Sequence, residues 1–459
     1  MPAALHNQCE GRLSTVFKTI SLLPDSYLLK PEFTFGVATA SFQIEGARDT
    51  RLACIWDTFC EKPSAIADNS NGDIACDHVT HWRHDIEMIA DLAVDAYRLS
   101  ISWPRVINED GSVNSQGMAF YTELLSALKA RNIKTYVTLY HWDLPQHLED
   151  KGGWLNRETA YKFQDYADKV SRHLGDLVDS FATLNEPFCS AYLGYEIGVH
   201  APGIKSQQAG RQAAHHLLLA HGLAMQVLRK NCPNTEAGIV LNFSPTYPLT
   251  ENDCNAAKLA DQYHNQWYIK AVLEGCYPPL FDDLAADVKP IIEADDMAII
   301  SQSIDFIGVN YYTRIHYKST PDGWFEEAPL TDVRVTDMGW EVYPEGLTEL
   351  LVSLHQHYNL PKMYITENGA AMADSLVDGE VYDIERVDYY HTHLNAVCNA
   401  IRQGVNIQGY FAWSLMDNFE WAYGYEKRFG LVYIDYQSQQ RILKESAKQY
   451  RALLKQRKK

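Results

Sequence analysis

Residues 364–369 read YITENG, a run of β-formers that ends in a carboxylate. Tyr364, Ile365 and Thr366 favour an extended strand, and Glu367 follows where that strand runs out. A buried strand ends in an acid for one of two reasons. Either the acid pairs or caps at the rim of a sheet, or it does chemistry and has a partner elsewhere. Seven further stretches bear on the choice: FTFGVATA, DAYRLSIS, KTYVTLY, SFATLN, AGIVLNF, DFIGVNYY and QGYFAWS, with KMYITE making the eighth.

Longer amphipathic segments separate these runs. Phe163, Tyr166, Ala167, Val170, Leu174 and Leu177 recur at the spacing of a one-faced helix, as do Phe120, Leu124, Leu125 and Leu128. Strand–helix alternation predicts an α/β fold with a parallel sheet covered by helices. Eight such units predict a single (β/α)8 TIM barrel with elaborated βα loops, spanning residues 33–459, rather than an open sheet. Residues 1–32 read as an N-terminal extension of unknown role. No GxGxxG or GxxxxGK[ST] turn follows any strand, so a dinucleotide or P-loop site lacks its phosphate cradle.

Bulk properties narrow the function. Lys and Arg number 40 against 59 Asp and Glu, a formal charge of −19. Such a surface repels phosphate backbones and anionic lipid, which argues against nucleic-acid and membrane partners. The basic run Lys455–Lys459 reads as a solvated helix end. Nine cysteines lie scattered, without CxxC pairs, which fits reduced thiols in the cytoplasm. The apolar stretch Val16–Leu23 is interrupted by Lys18 and has no small-residue cleavage site, so it does not read as a signal peptide.

In a closed barrel the carboxyl ends of all strands meet at one face. There the sequence places Gln43, Arg98, His141, Trp142, Asn185, Glu186, Asn242, Asn310, Tyr312, Glu367 and Trp413. Amides, carboxylates and His bond hydroxyls, while Trp142, Trp413 and Trp421 offer flat apolar faces, a combination suited to a sugar. Glu186 and Glu367 come from the fourth and seventh strands, on opposite sides of the ring. Two carboxyls flanking one bond are the machinery of glycoside hydrolysis, provided that one stays protonated and the other ionised. Arg98 and Tyr312 are the candidates to make that difference: a guanidinium near Glu367 would hold it as the anion and a phenol O–H would orient it, the alternative being that Arg98 pairs with an acid at the barrel bottom.

The motifs TLNEP (183–187) and ITENG (365–369) resemble the two signatures of glycoside hydrolase family 1, and the sequence is similar to its bacterial-type β-glucosidases. ASFQIEG, YRLSISWPR, LYHWDLP, GYEIGVHAPG, GVNYYT, MGWEVYPEG and AWSLMDNFEWAYGYEKRFGLVYID extend the likeness, in order, from Phe33 to Leu454. The resemblance implies a retaining β-glucosidase with Glu186 as acid/base and Glu367 as nucleophile, acting on β-glucosides and short cello-oligosaccharides without a cofactor or metal. It implies sugar contacts from Gln43, His141, Asn185, Trp413, Glu420 and Trp421, help from Asn310 and Tyr312, and a leaving-group side formed by Trp340 with Phe429. Glu420 argues against a 6-phosphate; the close alternatives are a β-galactosidase, β-fucosidase or 6-phospho-β-glucosidase of the same family, and a non-catalytic sugar-binding barrel is a distant one. Phe35, Phe188 and the ARDTRLAC stretch (47–54) depart from the usual family pattern, on the entrance and leaving-group side.

Other features have plainer readings. Trp56, Trp103 and Trp154 suit packing. His78, His81 and His84, and likewise His215, His216 and His221, lack HExxH spacing and read as helix-surface or supporting histidines. DNSNGD (68–73) lacks the distal Glu of a calcium loop and reads as a turn. The sequon at Asn242 falls in an expected strand and is discounted.

Overall fold

The computed structural model describes residues 19–457. Residues 1–18 of the expected extension, Cys9, the start of the Val16–Leu23 stretch and the last two lysines of the basic tail lie outside the described residues.

All eight expected strands form. They are β1 (Thr34–Ala38), β2 (Ala96–Ser100), β3 (Lys134–Tyr140), β4 (Ser180–Asn185), β5 (Glu236–Asn242), β6 (Phe306–Asn310), β7 (Lys362–Asn368) and β8 (Ile407–Trp413). Each pairs in parallel with its sequence neighbours, and β1 pairs with β8, which closes the barrel. The helix Glu158–Leu174 buries its expected stripe, and Ser115–Ala130 buries Leu124, Leu125 and Leu128 while Phe120 stays half-buried. Leu177 differs: the α-helix stops at Leu174, and Leu177 ends a short 3-10 turn leading into β4.

The barrel interior holds an aromatic floor. Tyr136, Phe306, Tyr364 and Phe411 stack edge-on or tilted, with centroids 4.8–5.5 Å apart for the Tyr136–Phe411, Tyr364–Phe306 and Tyr136–Tyr364 pairs. Gly36 makes this possible, because a Cβ there would sit 2.3 Å from the Phe411 ring. Above the floor the interior turns polar, so the mouth residues stand on a water-excluding base.

Elaborated loops build the rim. A π-helix, Cys189–Glu196, follows β4. A three-stranded sheet of Thr246–Pro248, Ile315–Ser319 and Phe325–Glu327 caps the ends of β5 and β6. The loop after β8 is pinned from below by buried charges. Asp417 accepts hydrogen bonds from Lys444 Nζ (2.6 Å), Arg428 Nη1 (2.6 Å) and the Gly430 amide (2.9 Å). Lys444 also donates to Asp374 (2.6 Å), which Arg386 bonds in turn (2.8 Å).

Several plainer readings are refined. His78, His215, His216 and His221 are buried rather than on helix surfaces, because each finds a partner: Asp85, Asp296 and Tyr277, the Trp154 carbonyl, and Thr183 respectively. Trp103 stacks on Tyr166 (4.9 Å, 9°) and Trp154 donates to Tyr140, both as packing groups. The basic tail is not wholly solvated: Arg457 reaches back to Asp95 and to the carbonyls at the entry of β1. Ser26 and Tyr27, within the expected extension, meet Cys398 and Gln408. The eight described cysteines carry no disulfide. Asp68 accepts from the amides of Ser70 and Tyr425, as a turn residue does.

Breaking a buried ion network by removing one partner costs about 3–5 kcal/mol. Lys444→Ala should therefore lose about that much in urea unfolding, since it takes one of their cations from both Asp374 and Asp417. A loss below about 1 kcal/mol would show that the network does not hold the loop.

Candidate active site

β2, β4, β6 and β7 deliver side chains at or near their carboxyl ends into one hydrogen-bonded cluster, Arg98 from the middle of β2. Arg98, 2 % exposed, donates from Nη1 to Glu367 Oε1 and from Nη2 to Asn185 Oδ1, both at 2.6 Å. Asn310 Nδ2 donates to the same Asn185 oxygen (3.1 Å) and to Glu186 Oε1 (2.7 Å). Thr366 Oγ1 donates to Asn310 Oδ1 (2.7 Å), which fixes that amide's orientation. Tyr312 OH donates to the second oxygen of Glu367 (2.7 Å). One continuous network thus links the two glutamates.

The same network sets the state of His141. With its oxygen committed to Arg98 and Asn310, Asn185 turns its amide nitrogen to His141 Nε2 (3.1 Å). Nε2 is then the acceptor, so Nδ1 carries the proton and is left as a buried donor with no partner. Burial, with the Arg98 charge behind it, holds His141 neutral by pushing its pKa well down. Its ring lies nearly parallel to Trp413 (5.8 Å, 19°) and Trp421 (6.0 Å, 19°). Trp56 supports Trp421 from behind at 4.7 Å.

Local backbone geometry aims these groups. The β4–β5 register shifts between Ala182 and Asn185, and the β6–β7 register shifts between Ile365 and Glu367. Such irregularities re-aim a side chain next to a site. Trp142, Glu186 and Trp421 adopt positive φ (81°, 47° and 47°), a conformation costly for residues with side chains. Each is held by its surroundings: the Glu186 amide by the Val240 carbonyl, Trp142 by its indole N–H on the Asn185 carbonyl, and the Trp421 carbonyl by the Gly424 amide.

The cluster floors a cavity of about 550 Å³, whose lining includes Glu186, Glu367, Glu420, His141 and Trp413. Gln43 donates to Asn418 Oδ1 and the Phe419 carbonyl, and its Oε1, like Glu420 Oε2, is buried without a partner. Tyr312, Trp340 and Phe429 form a ring triad on the outer side, with centroids 5.4–6.1 Å apart. Asn242 also lines the cavity. All fifteen residues singled out from the sequence are therefore in or directly behind one cavity.

Three carboxyls share this space with one buried guanidinium. Burial pushes Glu186 up to about 8, and the negative Glu367 adds to the effect. Glu420 is pushed up to about 8 as well, by burial and then by Glu367 and Glu186. Glu367 alone has the Arg98 ion pair. Two identical side chains thus meet opposite environments, which is the condition for a proton donor beside a carboxylate.

Sequence reasoning missed Cys189, which donates from Sγ to Glu186 Oε2 (3.3 Å). The signal was its place three residues after the acid, on the first turn of the following helix. It also missed Thr366 and Asn418, whose roles depend on neighbouring strands and loops.

The family model for glycosyl hydrolase family 1 matches residues 26–459. The chain belongs to glycosyl hydrolase family 1. A β-glucosidase from Agrobacterium sp. is 47 % identical over 432 residues, covering 92 % of this chain and 94 % of that one. Among solved structures, the virulence factor SghA of Agrobacterium tumefaciens superposes with a TM-score of 0.90 at 46 % identity, covering 92 % of this chain and 96 % of its own. A Thermotoga maritima β-glucosidase in complex with glucoimidazole gives a TM-score of 0.90 at 43 % identity, covering 93 % and 98 %. The barrel and its closure are thus those of glycosyl hydrolase family 1. Among the described residues no helix is long and apolar enough to cross a membrane.

Burial is the larger cause of the raised Glu186 pKa and the Glu367 charge the smaller. Isotope-edited infrared or carbon NMR titration of Glu367→Gln should show Glu186 titrating lower than in the wild type, yet still above an ordinary glutamate. A fall to the ordinary value would mean that charge, not burial, controls this group.

Proposed function

We propose that this protein is a retaining β-glucosidase that removes terminal β-D-glucosyl residues from small β-glucosides and short cello-oligosaccharides. The observation that carries the reading is the contrast between Glu186, raised to about 8, and Glu367, paired with Arg98 at 2.6 Å in the same cavity. The names of the family relatives support the same substrate class. A cytoplasmic place in cellulose breakdown is part of this proposal, consistent with the unpaired cysteines.

In this mechanism Glu367 attacks the anomeric carbon while Glu186 protonates the leaving oxygen, giving a covalent glucosyl-enzyme. Glu186, now ionised, takes a proton from water as that water releases the sugar. Retention requires carboxyls ~5–5.5 Å apart. Arg98 and Tyr312 hold the Glu367 oxygens in place for attack, and Asn310 orients Glu186. Asn185 and His141 offer donors beside the two acids, and the unpartnered oxygens of Gln43 and Glu420 accept sugar hydroxyls. Trp413, Trp421 and Trp142 line the sugar's flat faces, and Trp340 with Phe429 flanks the leaving group. Among the described residues Arg314 is the Lys or Arg side chain that lines the cavity, and it is committed to Glu341, as Arg98 behind the cavity is to Glu367 and Asn185, which leaves neither to receive a phosphate.

Hydrolysis of p-nitrophenyl β-glucoside, its galacto epimer and its 6-phosphate tests the reading. We expect turnover of the unphosphorylated sugars, β-glucose as the first-formed anomer by proton NMR, and loss of activity in Glu367→Ala by at least about 10⁴-fold. Turnover of the 6-phosphate alone, or an α-anomer first product, would refute it. Because the acid form of Glu186 is the active one, kcat/KM should fall as pH rises through about 8.

A further inference from the structure

We propose that Glu327 sets the charge preference of the outer half of the cavity, so that leaving groups are accepted when neutral or cationic and discriminated against when anionic. The inference rests on the glycoside-hydrolysis reading above and names the leaving-group chemistry which that reading leaves open.

Glu327 ends the short strand Phe325–Glu327, which pairs antiparallel with Ile315–Ser319. Strand alternation sends neighbouring side chains to opposite faces. Glu326 turns outward and pairs with Lys318 at 3.0 Å. Phe325 and Glu327 turn the other way, Phe325 into the rings of Tyr263, His264 and Tyr317, and Glu327 into the cavity wall. Its carboxylate has no hydrogen-bond or ion-pair partner among the described residues. Glu327 is exposed at the cavity rim, yet partial desolvation by the wall beside it still raises its pKa.

The other charges of the outer half cancel. Arg314 is the cation lining this part of the cavity, and Glu341 grips its guanidinium at two points, both 2.9 Å. That guanidinium also lies 3.5 Å from the Tyr343 ring centroid. Burial and the Arg314 charge push His316 down, and burial pushes His200 down to about 3, so both rings are neutral. The inner half adds Glu186, Glu367 and Glu420, with Arg98 beneath them. Elsewhere the outer wall carries no further charge: Phe188, Leu193, Val199, Leu330, Val335 and Met338 are apolar, and Ser244 and Thr313 are neutral hydroxyls. A leaving group therefore meets an apolar wall and one uncompensated negative charge. Phe188, a departure from the family pattern on this side, belongs to the same wall.

At separations of ~8 Å and an effective dielectric between ~20 and ~40, one such charge changes the preference between an anionic and a neutral group by roughly five- to thirtyfold. Phenyl β-glucosides bearing a para carboxylate, hydroxymethyl or aminomethyl group provide the probe. Ratios of kcat/KM to the hydroxymethyl substrate, compared between enzymes, cancel the intrinsic reactivity of each leaving group. In Glu327→Gln the carboxylate ratio should rise by about five- to thirtyfold, and Glu327→Lys should push it further while lowering the aminomethyl ratio. In the wild type, added salt should raise the carboxylate ratio by screening. A carboxylate ratio that moves less than about twofold in both variants, or one indifferent to salt in the wild type, overturns the proposal. Failure of the wild type to turn over the hydroxymethyl substrate would instead remove the glucosidase reading, and this inference with it.

Discussion

The site depends on a single buried cation. Arg98 lies in the barrel mouth where a guanidinium is costly to desolvate, and only well-placed acceptors offset that cost. It has them in Glu367 and Asn185, and through those two contacts it ties β2 to β7 and β4. Everything downstream follows from hydrogen-bond accounting. The Asn185 oxygen is shared between Arg98 and Asn310, so its amide nitrogen faces His141. The tautomer of His141 and the orientation of Asn310 beneath Glu186 are then no longer free choices.

Desolvation gives this cluster its asymmetry. The aromatic floor of Tyr136, Phe306, Tyr364 and Phe411 excludes water from below, and the ring triad of Tyr312, Trp340 and Phe429 narrows the side. In such surroundings three carboxyls and one guanidinium cannot all be charged at little cost. The guanidinium reaches Glu367, and Glu186 and Glu420 are left to carry the raised pKa values. The thiol of Cys189, itself held protonated by burial and by Glu186, is a donor to the acid and not a nucleophile.

The rim is stabilised separately from the floor. The loop bearing Glu420, Trp421 and Phe429 rests on Asp417, Lys444, Arg428, Asp374 and Arg386, which come from the loops after β7 and β8, the helix Ile384–Arg402 and the entry to the C-terminal helix. Positive φ at Glu186, Trp142 and Trp421 is backbone strain located at the cavity itself. A barrel bears such strain because its strands are fixed on both sides by neighbours.

The sequence by itself determined the eight strands, their closure and the roster of mouth residues. Period-2 runs and one-faced helices are local patterns, and a parallel barrel then places every strand end at one face. That is why Glu186 and Glu367, 181 positions apart by subtraction of their numbers, were legible as a pair. Only the tertiary structure decided which acid received the cation, because Arg98 is near in space to Glu367 and distant in sequence. The same holds for the burial of His78, His215 and His221, whose partners lie on other elements or two turns of helix away. The register shifts before Glu186 and Glu367, the Cys189 contact and the inward turn of Glu327 are likewise products of pairing between strands and loops. Residue patterns encode what each element buries. Proton positions and pKa values are set by which charges the folded chain brings together after water has been removed.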